Sequence, residues 1–199
     1  MFANSDPLTA QEKLSSVSIR QLSSRIVYRN PWMTVREDAV ERDNGEHGIY
    51  GVVEKHDSAV ILPVNGNDIY LVEQFRYPIG RRSLELPQGS LESAGLEPEV
   101  IARGELLQET GIVAGKLELL GAFNIAVGYS NQRNYAFLAT DLTLGPRMID
   151  REEHDLVLHR VGLDEFQEKI TSNMIDDAQT LAAWTLYLAR YGDRDFLRR

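Results

Sequence analysis

The chain has 199 residues, 43% of them apolar and 26% charged, and this suits one globular domain with a small extension. Its net charge of −9 argues against a general nucleic-acid binder, and the absence of cysteine excludes disulfides, thiolate catalysis and sulfur-ligated metals. No apolar run approaches the roughly 20 residues of a membrane span and no signal pattern opens the chain, so we expect a cytoplasmic protein without nucleic-acid or membrane partners.

The N-terminal part of the chain predicts an arm followed by a hairpin. Residues 1–24 are rich in Ser, Gln and charge, which favours either a loosely packed tail or an arm that packs on a partner subunit. Residues 25–41 carry strand-forming side chains, Asn44-Gly45 is a strong hairpin signal, and residues 49–55 would form the return strand. The expected organisation is an N-terminal arm over 1–24, a hairpin subdomain over 25–57 and the main domain over 58–199.

The main domain mixes strand and helix signals, as in an α/β protein. The apolar run at 58–64 suits a buried strand. Asp176 has Gln179 three residues later, which is the spacing of a capping box at the start of the last helix. The other predicted elements are strands at 69–75, 117–125, 133–140 and 156–161, and helices at about 98–110 and 164–171.

Residues 86–112 read as a glycine loop running into a helix. Pro98 suits a first helical position, and Gly111 suits a left-handed residue just past the end. Glu105 and Glu109 are four residues apart, so they share one face of that helix. Two carboxylates on one face repel each other unless a cation lies between them, which indicates a site for a hard divalent metal.

This stretch resembles the Nudix box, the signature of hydrolases that cleave nucleoside diphosphates linked to another moiety. The matching residues are Gly89, Glu105, Leu106, Glu109, Gly111 and Ile112. Gly104 replaces the family arginine, Gln108 replaces the first glutamate of a Glu-Glu pair, and Leu96 falls where an early glutamate is usual.

Further stretches resemble the ADP-ribose and nucleotide-sugar pyrophosphatase branch of that family. They are Tyr28 to Trp32, Glu73 to Pro78, Glu85 to Gly89, Val127 to Ser130, and the acidic pair Glu152-Glu153. The resemblance covers about residues 25–190. It implies an α/β fold, namely a Nudix-type α/β/α sandwich with a mixed sheet and an N-terminal β-hairpin extension.

The resemblance also implies metal-dependent hydrolysis of ADP-ribose or a related nucleoside diphosphate sugar to a nucleoside monophosphate and a sugar phosphate. Mg²⁺ or Mn²⁺ would be held by Glu105, Glu109 and the backbone carbonyl of Gln88, with Gly89 allowing the turn. Gln108 either adds an amide oxygen to the metal or is only a polar surface residue. The alternative, favoured by Gly104, Gln108 and Leu96, is a weakly active or inactive module that binds a nucleotide sugar.

The resemblance suggests the remaining roles. Glu153, with Glu152 close behind, is the expected general base, unless this acidic pair belongs to an ordinary charged loop. The expected substrate-binding residues are Arg76, Gly128, Tyr129, Tyr28 and Trp32; their plainer roles are a surface salt bridge, a turn and hairpin packing. Arg81 and Arg82 are expected to be surface charges. The hairpin is expected to join two subunits of a homodimer.

Overall fold

The protein is described by a computed structural model over residues 18–90, 96–147 and 155–192. Contacts along the chain define two compact units. The N-terminal unit ends at Lys55 and also includes Gly128–Asn131, whereas the larger unit comprises His56–Val127 and the chain from Gln132 onward. Most of the predicted arm lies outside the described residues, but its last part, from Ile19, already belongs to a strand.

Three antiparallel strands form the sheet in the described part of the N-terminal unit: β1 (Ile19–Arg29), β2 (Thr34–Arg42) and β3 (His47–Glu54). The strand-forming residues at 25–41 belong to two strands, because the chain turns between β1 and β2. The side-chain oxygen of Asn30 accepts hydrogen bonds from the backbone amides of Trp32 (3.0 Å) and Met33 (2.8 Å). Pro31 has no N–H to offer a strand partner, so the Asn-Pro pair ends the strand.

The predicted Asn-Gly hairpin joins β2 to β3. Gly45 has φ +82°, a conformation that favours glycine, and its N–H donates to the carbonyl of Arg42 at 2.9 Å. The Asn44 side chain accepts a hydrogen bond from the Glu46 amide at 3.0 Å. The N-terminal extension is therefore the expected hairpin with a third strand added at its edge.

The larger unit contains a mixed sheet with the order β10-β5-β4-β9-β8 among the described strands, with β6 paired to β5 and β7 paired to β4. Strands β4 and β9 are parallel, and the other pairs are antiparallel. Six of the eight residues of β4 are buried, as its apolar run predicted. The strand bounds are β4 Ser58–Asn65, β5 Asp68–Arg76, β6 Arg81–Glu85, β7 Gln88–Gly89, β8 Ile112–Asn124, β9 Arg133–Leu144 and β10 Val157–Gly162.

Helices cover both faces of this sheet. Helix α1 (Pro98–Thr110) buries Ile101 and Leu106 against a cluster that includes Ile61 of β4. Helices α2 (Leu163–Thr171) and α3 (Ala178–Tyr191) pack on the other cluster, where Leu62 is buried. Neighbouring residues of a strand point to opposite faces, so β4 supplies both cores. Each fully buried aliphatic or aromatic side chain contributes about 1.5–3 kcal/mol. The α/β/α sandwich with a mixed sheet is confirmed.

Helix α3 begins one residue later than predicted. Its N-cap is Asp177, whose carboxylate accepts from the backbone N–H of Thr180 at 2.8 Å, and not Asp176. Asp176 instead forms an ion pair with Arg81. The predicted capping-box partner, Gln179, accepts a hydrogen bond from the Asn134 side chain. Within the described residues, the helices are all too short or too polar to cross a membrane.

Candidate active site

Helix α1 begins and ends where its sequence predicts. Pro98 occupies the first turn after the extended Glu97, and the helix stops at Gly111, which has φ +72° and donates to the carbonyl of Leu107 at 2.8 Å. A side chain at Gly111 would also lie 2.4 Å from the carbonyl oxygen of Gly145. Pro98 and Gly111 therefore delimit α1 as predicted.

Glu105 and Glu109 are buried on the sheet side of α1, with 6% and 0% of their surface exposed. Both carboxylates reach the short strand β7. The backbone N–H of Gln88 donates to Glu109 Oε2 at 3.1 Å. The Glu105 carboxylate packs on Gly89 so closely that a methyl carbon added there would lie 2.6 Å from Oε2. The structure thus brings together the glutamates and the Gln-Gly pair that the sequence assigned to one site.

The chemistry of these donors fits a hard divalent cation. Carboxylate oxygens are the ligands that Mg²⁺ and Mn²⁺ prefer, and burying two carboxylates side by side is costly without a compensating charge. The space at Gly89 that a methyl group would fill keeps Glu105 close to the backbone of β7. Among the described residues no group of three or more His, Asp or Glu side chains is arranged as a metal site.

A second polar cluster, which we call the β6–β7 network, lies next to these glutamates. Arg76 at the end of β5 donates twice to Glu85, from Nε at 2.9 Å and from Nη2 at 2.5 Å. Gln88 Nε2 donates to Glu85 Oε2 at 2.8 Å and to Asp177 Oδ2 at 3.0 Å. Asp177 also caps α3 through Thr180. One chain of hydrogen bonds therefore links β5, β6, β7 and α3.

Electrostatics keep Arg76 and Glu85 of this network ionised. Burial by itself would raise the pKa of Glu85, but the hydrogen bonds and charge of Arg76, together with hydrogen bonds from Gln88 and Ser83, bring that pKa below its ordinary value. Burial would lower the pKa of Arg76, and the contacts with Glu85, aided by the charges of Glu109 and Asp177, raise it overall. Arg76 therefore remains a cation beside the ionised carboxylate of Glu85.

The network lines a cavity of about 410 Å³ in the larger unit. Its wall carries the guanidinium groups of Arg76 and Arg81, the latter paired with Asp176. Arg81 and Arg82 are both exposed, as expected of surface charges. Arg81 also lines this cavity, and Arg82 pairs with Glu73 and Asp155. The lining residues are Arg76, Pro78, Ile79, Arg81, Ser83, Glu85, Gln88, Asp176, Asp177, Ala178 and Gln179.

The structure shows the surroundings of the three residues that depart from the Nudix box, namely Leu96, Gly104 and Gln108. Arg103 donates to Glu99 and to the carbonyl of Ala114, so its guanidinium does not replace the arginine missing at Gly104. Gln108 is half-buried on α1. Leu96 packs against the apolar cluster beneath α1, where a glutamate would be poorly accommodated.

The remaining predicted substrate residues belong to the N-terminal unit. Tyr28 and Trp32 lie at the β1–β2 turn and are about half exposed, at 54% and 52%. The segment that contains Gly128 and Tyr129 is attached to β3, because the Gly128 carbonyl accepts from the hydroxyl of Tyr50 and the Tyr129 carbonyl accepts from the amide of Val53. Their roles toward a substrate stay predictions.

The predicted general base, Glu153 or Glu152, lies outside the described residues. Both neighbouring segments are anchored. On one side Arg147 donates to the carbonyls of Glu109 (3.0 Å) and Leu156 (3.2 Å). On the other side Asp155 accepts from the Phe75 amide at 3.0 Å and pairs with Arg82.

The sequence reasoning missed Glu85, Asp177 and the side chain of Gln88 as site residues. Glu85 and Gln88 stand in the Glu-Leu-Pro-Gln-Gly stretch, which was used to recognise the family but was given no side-chain role. Asp177 is the second of two adjacent aspartates, of which the first was chosen. Glu85 could have been predicted from its position, because it lies on a strand that follows β5 closely, and a carboxylate on a strand paired with β5 can reach Arg76.

The larger unit is therefore a mixed sheet between helices, in which α1 places two buried glutamates against the Gln88-Gly89 pair. A sequence model described as the NUDIX domain matches residues 54–184, and one described as the nucleoside diphosphate sugar hydrolase N-terminal domain matches residues 19–53. The chain therefore belongs to the NUDIX family. Hydrolases of this family use divalent metal ions.

Individual relatives agree with this assignment. The chain is 28% identical over 172 residues to an ADP-ribose pyrophosphatase of Bacillus subtilis, covering 85% of this chain and 92% of that protein. It is 29% identical over 166 residues to a methanol dehydrogenase activator of Bacillus methanolicus, covering 82% and 89%. A crystal structure of an ADP compounds hydrolase has the same fold, with a TM-score of 0.74, 21% identity, and coverage of 91% and 95%.

Proposed function

We propose that the chain hydrolyses the diphosphate of ADP-ribose or a related nucleoside diphosphate sugar in the presence of Mg²⁺ or Mn²⁺. The products would be a nucleoside monophosphate and a sugar phosphate. The observation that carries the proposal is the burial of Glu105 and Glu109 together against Gln88 and Gly89. A cation bound by these two carboxylates would offset the cost of burying them, and the neighbouring cavity would hold the phosphates of the substrate.

Each residue has a distinct task in this proposal. Glu105, Glu109 and the Gln88 backbone would hold the cation, with Gln108 as a further oxygen donor. A bound divalent cation supplies charge neutralisation to the phosphoryl oxygens and activates water. Arg76 at the cavity wall would contact the diphosphate with the donors that Glu85 leaves available.

Glu153, or its neighbour Glu152, is our proposed general base, which takes the proton from the attacking water. Arg147 supports this choice, because it ties Glu109 at the end of α1 to Leu156, shortly after the acidic pair in sequence. Comparison of the turnover of Glu153→Gln with that of Glu152→Gln would show which of the two glutamates is the base. Tyr28, Trp32, Gly128 and Tyr129 are proposed to contact the base and sugar of the substrate.

The test is turnover of purified protein with ADP-ribose, GDP-mannose and other nucleotide sugars in Mg²⁺ or Mn²⁺, with detection of phosphomonoester products. Glu109→Gln should abolish turnover. The matched control is Glu99→Gln on the same helix, where the carboxylate is exposed and pairs with Arg103; this variant should keep full turnover. Tight binding of nucleotide sugars without turnover in any metal would refute the proposed hydrolysis.

A second candidate function is a NUDIX module that binds a nucleotide sugar and turns it over slowly. It is favoured by one specific observation: Arg103 is engaged with Glu99 and Ala114, so α1 has no arginine in place of Gly104. The same substrate panel distinguishes the two functions. A dissociation constant in the micromolar range with no phosphomonoester release would establish the module.

We also propose that the protein is a homodimer through its N-terminal sheet. Among the described strands, β1 lies at an edge of the N-terminal sheet, and each of its residues is exposed, including Leu22, Ile26 and Val27. An exposed edge with apolar side chains favours pairing with another chain. Light scattering should give twice the monomer mass, and Ile26→Lys should lower it. A monomeric wild type would refute the dimer.

A further inference from the structure

The guanidinium group of Arg76 is held along one edge and accessible along the other. Its Nε and Nη2 atoms donate to the two carboxylate oxygens of Glu85, at 2.9 and 2.5 Å. Nη1 donates to no acceptor in the part of the chain that the structure describes, and it is not one of the fully buried polar atoms that lack a hydrogen bond. Because 37% of the Arg76 side chain is exposed, Nη1 is open to a ligand.

The Arg76 side chain lies along the sheet to reach Glu85. Arg76 is opposite Arg81 in the register of β5 and β6, whereas Glu85 is opposite Val72, four residues further back along β5. Side chains an even number of residues apart on a strand share one face, and four residues span about 13 Å. The arginine therefore turns back over the sheet instead of extending from the end of β5 into solvent.

Glu85 is a rigid partner for this arginine. It is 3% exposed, and its Oε2 also accepts a hydrogen bond from Gln88 Nε2 at 2.8 Å. The Ser83 side chain donates to the same carboxylate. The amide of Gln88 is in turn bound to Asp177 at the start of α3. A buried carboxylate with donors from three side chains is fixed in one orientation, and it fixes one orientation of Arg76.

The accessible edge of Arg76 fits a phosphate group. Nη1 and the second N–H of Nη2 form a planar fork that can bind two oxygens of one phosphate. Arg76 lines the cavity of about 410 Å³. A long side chain without a fixed partner samples many rotamers, and Glu85 removes most of that freedom before a ligand binds. Groups that are preorganised in this way bind a ligand more tightly.

We propose that Glu85 is a positioning residue, which holds Arg76 so that the free edge of its guanidinium group contacts the diphosphate of the substrate. The inference rests on the proposed nucleotide-sugar hydrolysis and on the role of Arg76 in it. Glu85 contacts neither the phosphates nor the metal in this arrangement, and its whole effect on the reaction passes through Arg76. Removal of Glu85 therefore has no consequence for the reaction once Arg76 is absent.

A double-mutant cycle measures this dependence. Glu85→Gln should lower kcat/KM for ADP-ribose about 10- to 100-fold, because the amide offers one acceptor and sets its NH₂ group against the second guanidinium donor. In the Arg76→Met background the same change should alter kcat/KM by less than about twofold. Thermal unfolding establishes that each variant is folded at the assay temperature. Equal losses in both backgrounds, or no loss in the wild-type background, would overturn the inference.

Glu73→Gln is the matched control. Glu73 pairs with Arg82 across the same two strands, with 2.7 Å between Arg82 Nε and Glu73 Oε1, and neither residue belongs to the cavity wall that the described residues form. This variant should keep kcat/KM within about twofold of the wild type. A loss equal to that of Glu85→Gln would mean that any weakened pair between β5 and β6 lowers activity, which contradicts a specific role for Glu85.

Glu85→Asp separates position from charge. It keeps a negative charge beside Arg76 but shortens the side chain by one methylene group, so the carboxylate no longer meets both guanidinium donors. We expect kcat/KM to fall about tenfold. If Glu85→Gln does not fold, Glu85→Asp takes its place in the cycle with Arg76→Met. Full activity in Glu85→Asp would overturn the inference, because the charge alone would then be sufficient.

A binding experiment separates this inference from the proposed reaction. The probe is α,β-methylene ADP-ribose with Mg²⁺, because the CH₂ bridge between its phosphorus atoms cannot be hydrolysed. In calorimetry Glu85→Gln should raise the dissociation constant about tenfold where Arg76 is present and leave it unchanged in Arg76→Met. If the wild type shows this dependence but hydrolyses no nucleotide sugar, the proposed reaction fails and the inference stands. If the wild type hydrolyses ADP-ribose while the two substitutions act independently on binding, or if it does not bind the probe, the inference is wrong.

Discussion

Gly89→Ala should separate the activity of this protein from its stability. The methyl carbon of an alanine at position 89 would lie 2.6, 2.7 and 2.8 Å from the three terminal atoms of the Glu105 carboxylate. Ordinary contacts begin at 3.4 Å, so the carboxylate must retreat by about 0.8 Å. Functional groups in active sites must be held within about 0.5 Å, so this displacement moves Glu105 out of its productive position.

The size of the two effects follows from the same geometry. A misplacement of about 1 Å can lower a rate about 100-fold, so we expect kcat/KM for a nucleotide sugar to fall about 10- to 100-fold. The clashing atoms are the end of a flexible side chain, and alanine stabilises a strand position by about 0.4–1 kcal/mol where the backbone allows it. The melting temperature should therefore stay within about 3 °C of the wild type.

The assay combines steady-state kinetics with Mn²⁺ titration and thermal unfolding of the same preparations. Gly51→Ala in β3 is the matched control, because a Cβ at this strand glycine would meet nothing within 4 Å. The control should keep both activity and metal affinity. Wild-type kinetics in Gly89→Ala would show that the position of Glu105 does not matter, and loss of the fold would show that Gly89 is needed for structure alone.

Three further predictions concern pH, capping and the altered Nudix box. Folding lowers the pKa of Glu85 below its ordinary value of 4.5. The ionised carboxylate therefore stabilises the fold fully above about pH 4.5, and this stabilisation is lost as the pH falls through the lower folded-state pKa. In urea unfolding, the free energy of unfolding should fall less steeply with acid in Glu85→Gln than in the wild type. Asp177→Ala should cost about 1–2 kcal/mol in the same unfolding assay, more than Asp176→Ala, whose ion pair with Arg81 is exposed and contributes little. Gly104→Arg combined with Gln108→Glu should raise Mn²⁺ affinity and kcat/KM about tenfold; no rise in either would show that these departures do not weaken the site.

Local patterns in the sequence predicted the helices and strands, and they predicted the pair of glutamates on α1. Pro98 and Gly111 delimit helix α1 because each has a backbone requirement that depends only on its own residue type. The spacing of Glu105 and Glu109 then places both carboxylates on one face of that helix. The apolar run of β4 predicted a buried strand, because a strand that is buried on both faces needs apolar residues at successive positions. Even the missed turn after β1 was present in Asn30-Pro31.

Tertiary contacts decided the rest of the site. Gln88 and Asp177 are 89 positions apart, and no local rule joins them. In sequence Asp176 fits the capping box better than Asp177, because Gln179 stands three residues after it. The fold selects Asp177 instead, since Arg81 pairs with Asp176 and Gln88 donates to Asp177. The cavity exists only because β6, β7 and the start of α3 meet. Hydrogen bonds between such distant residues depend on where the sheet places them, and a local pattern carries no record of that placement.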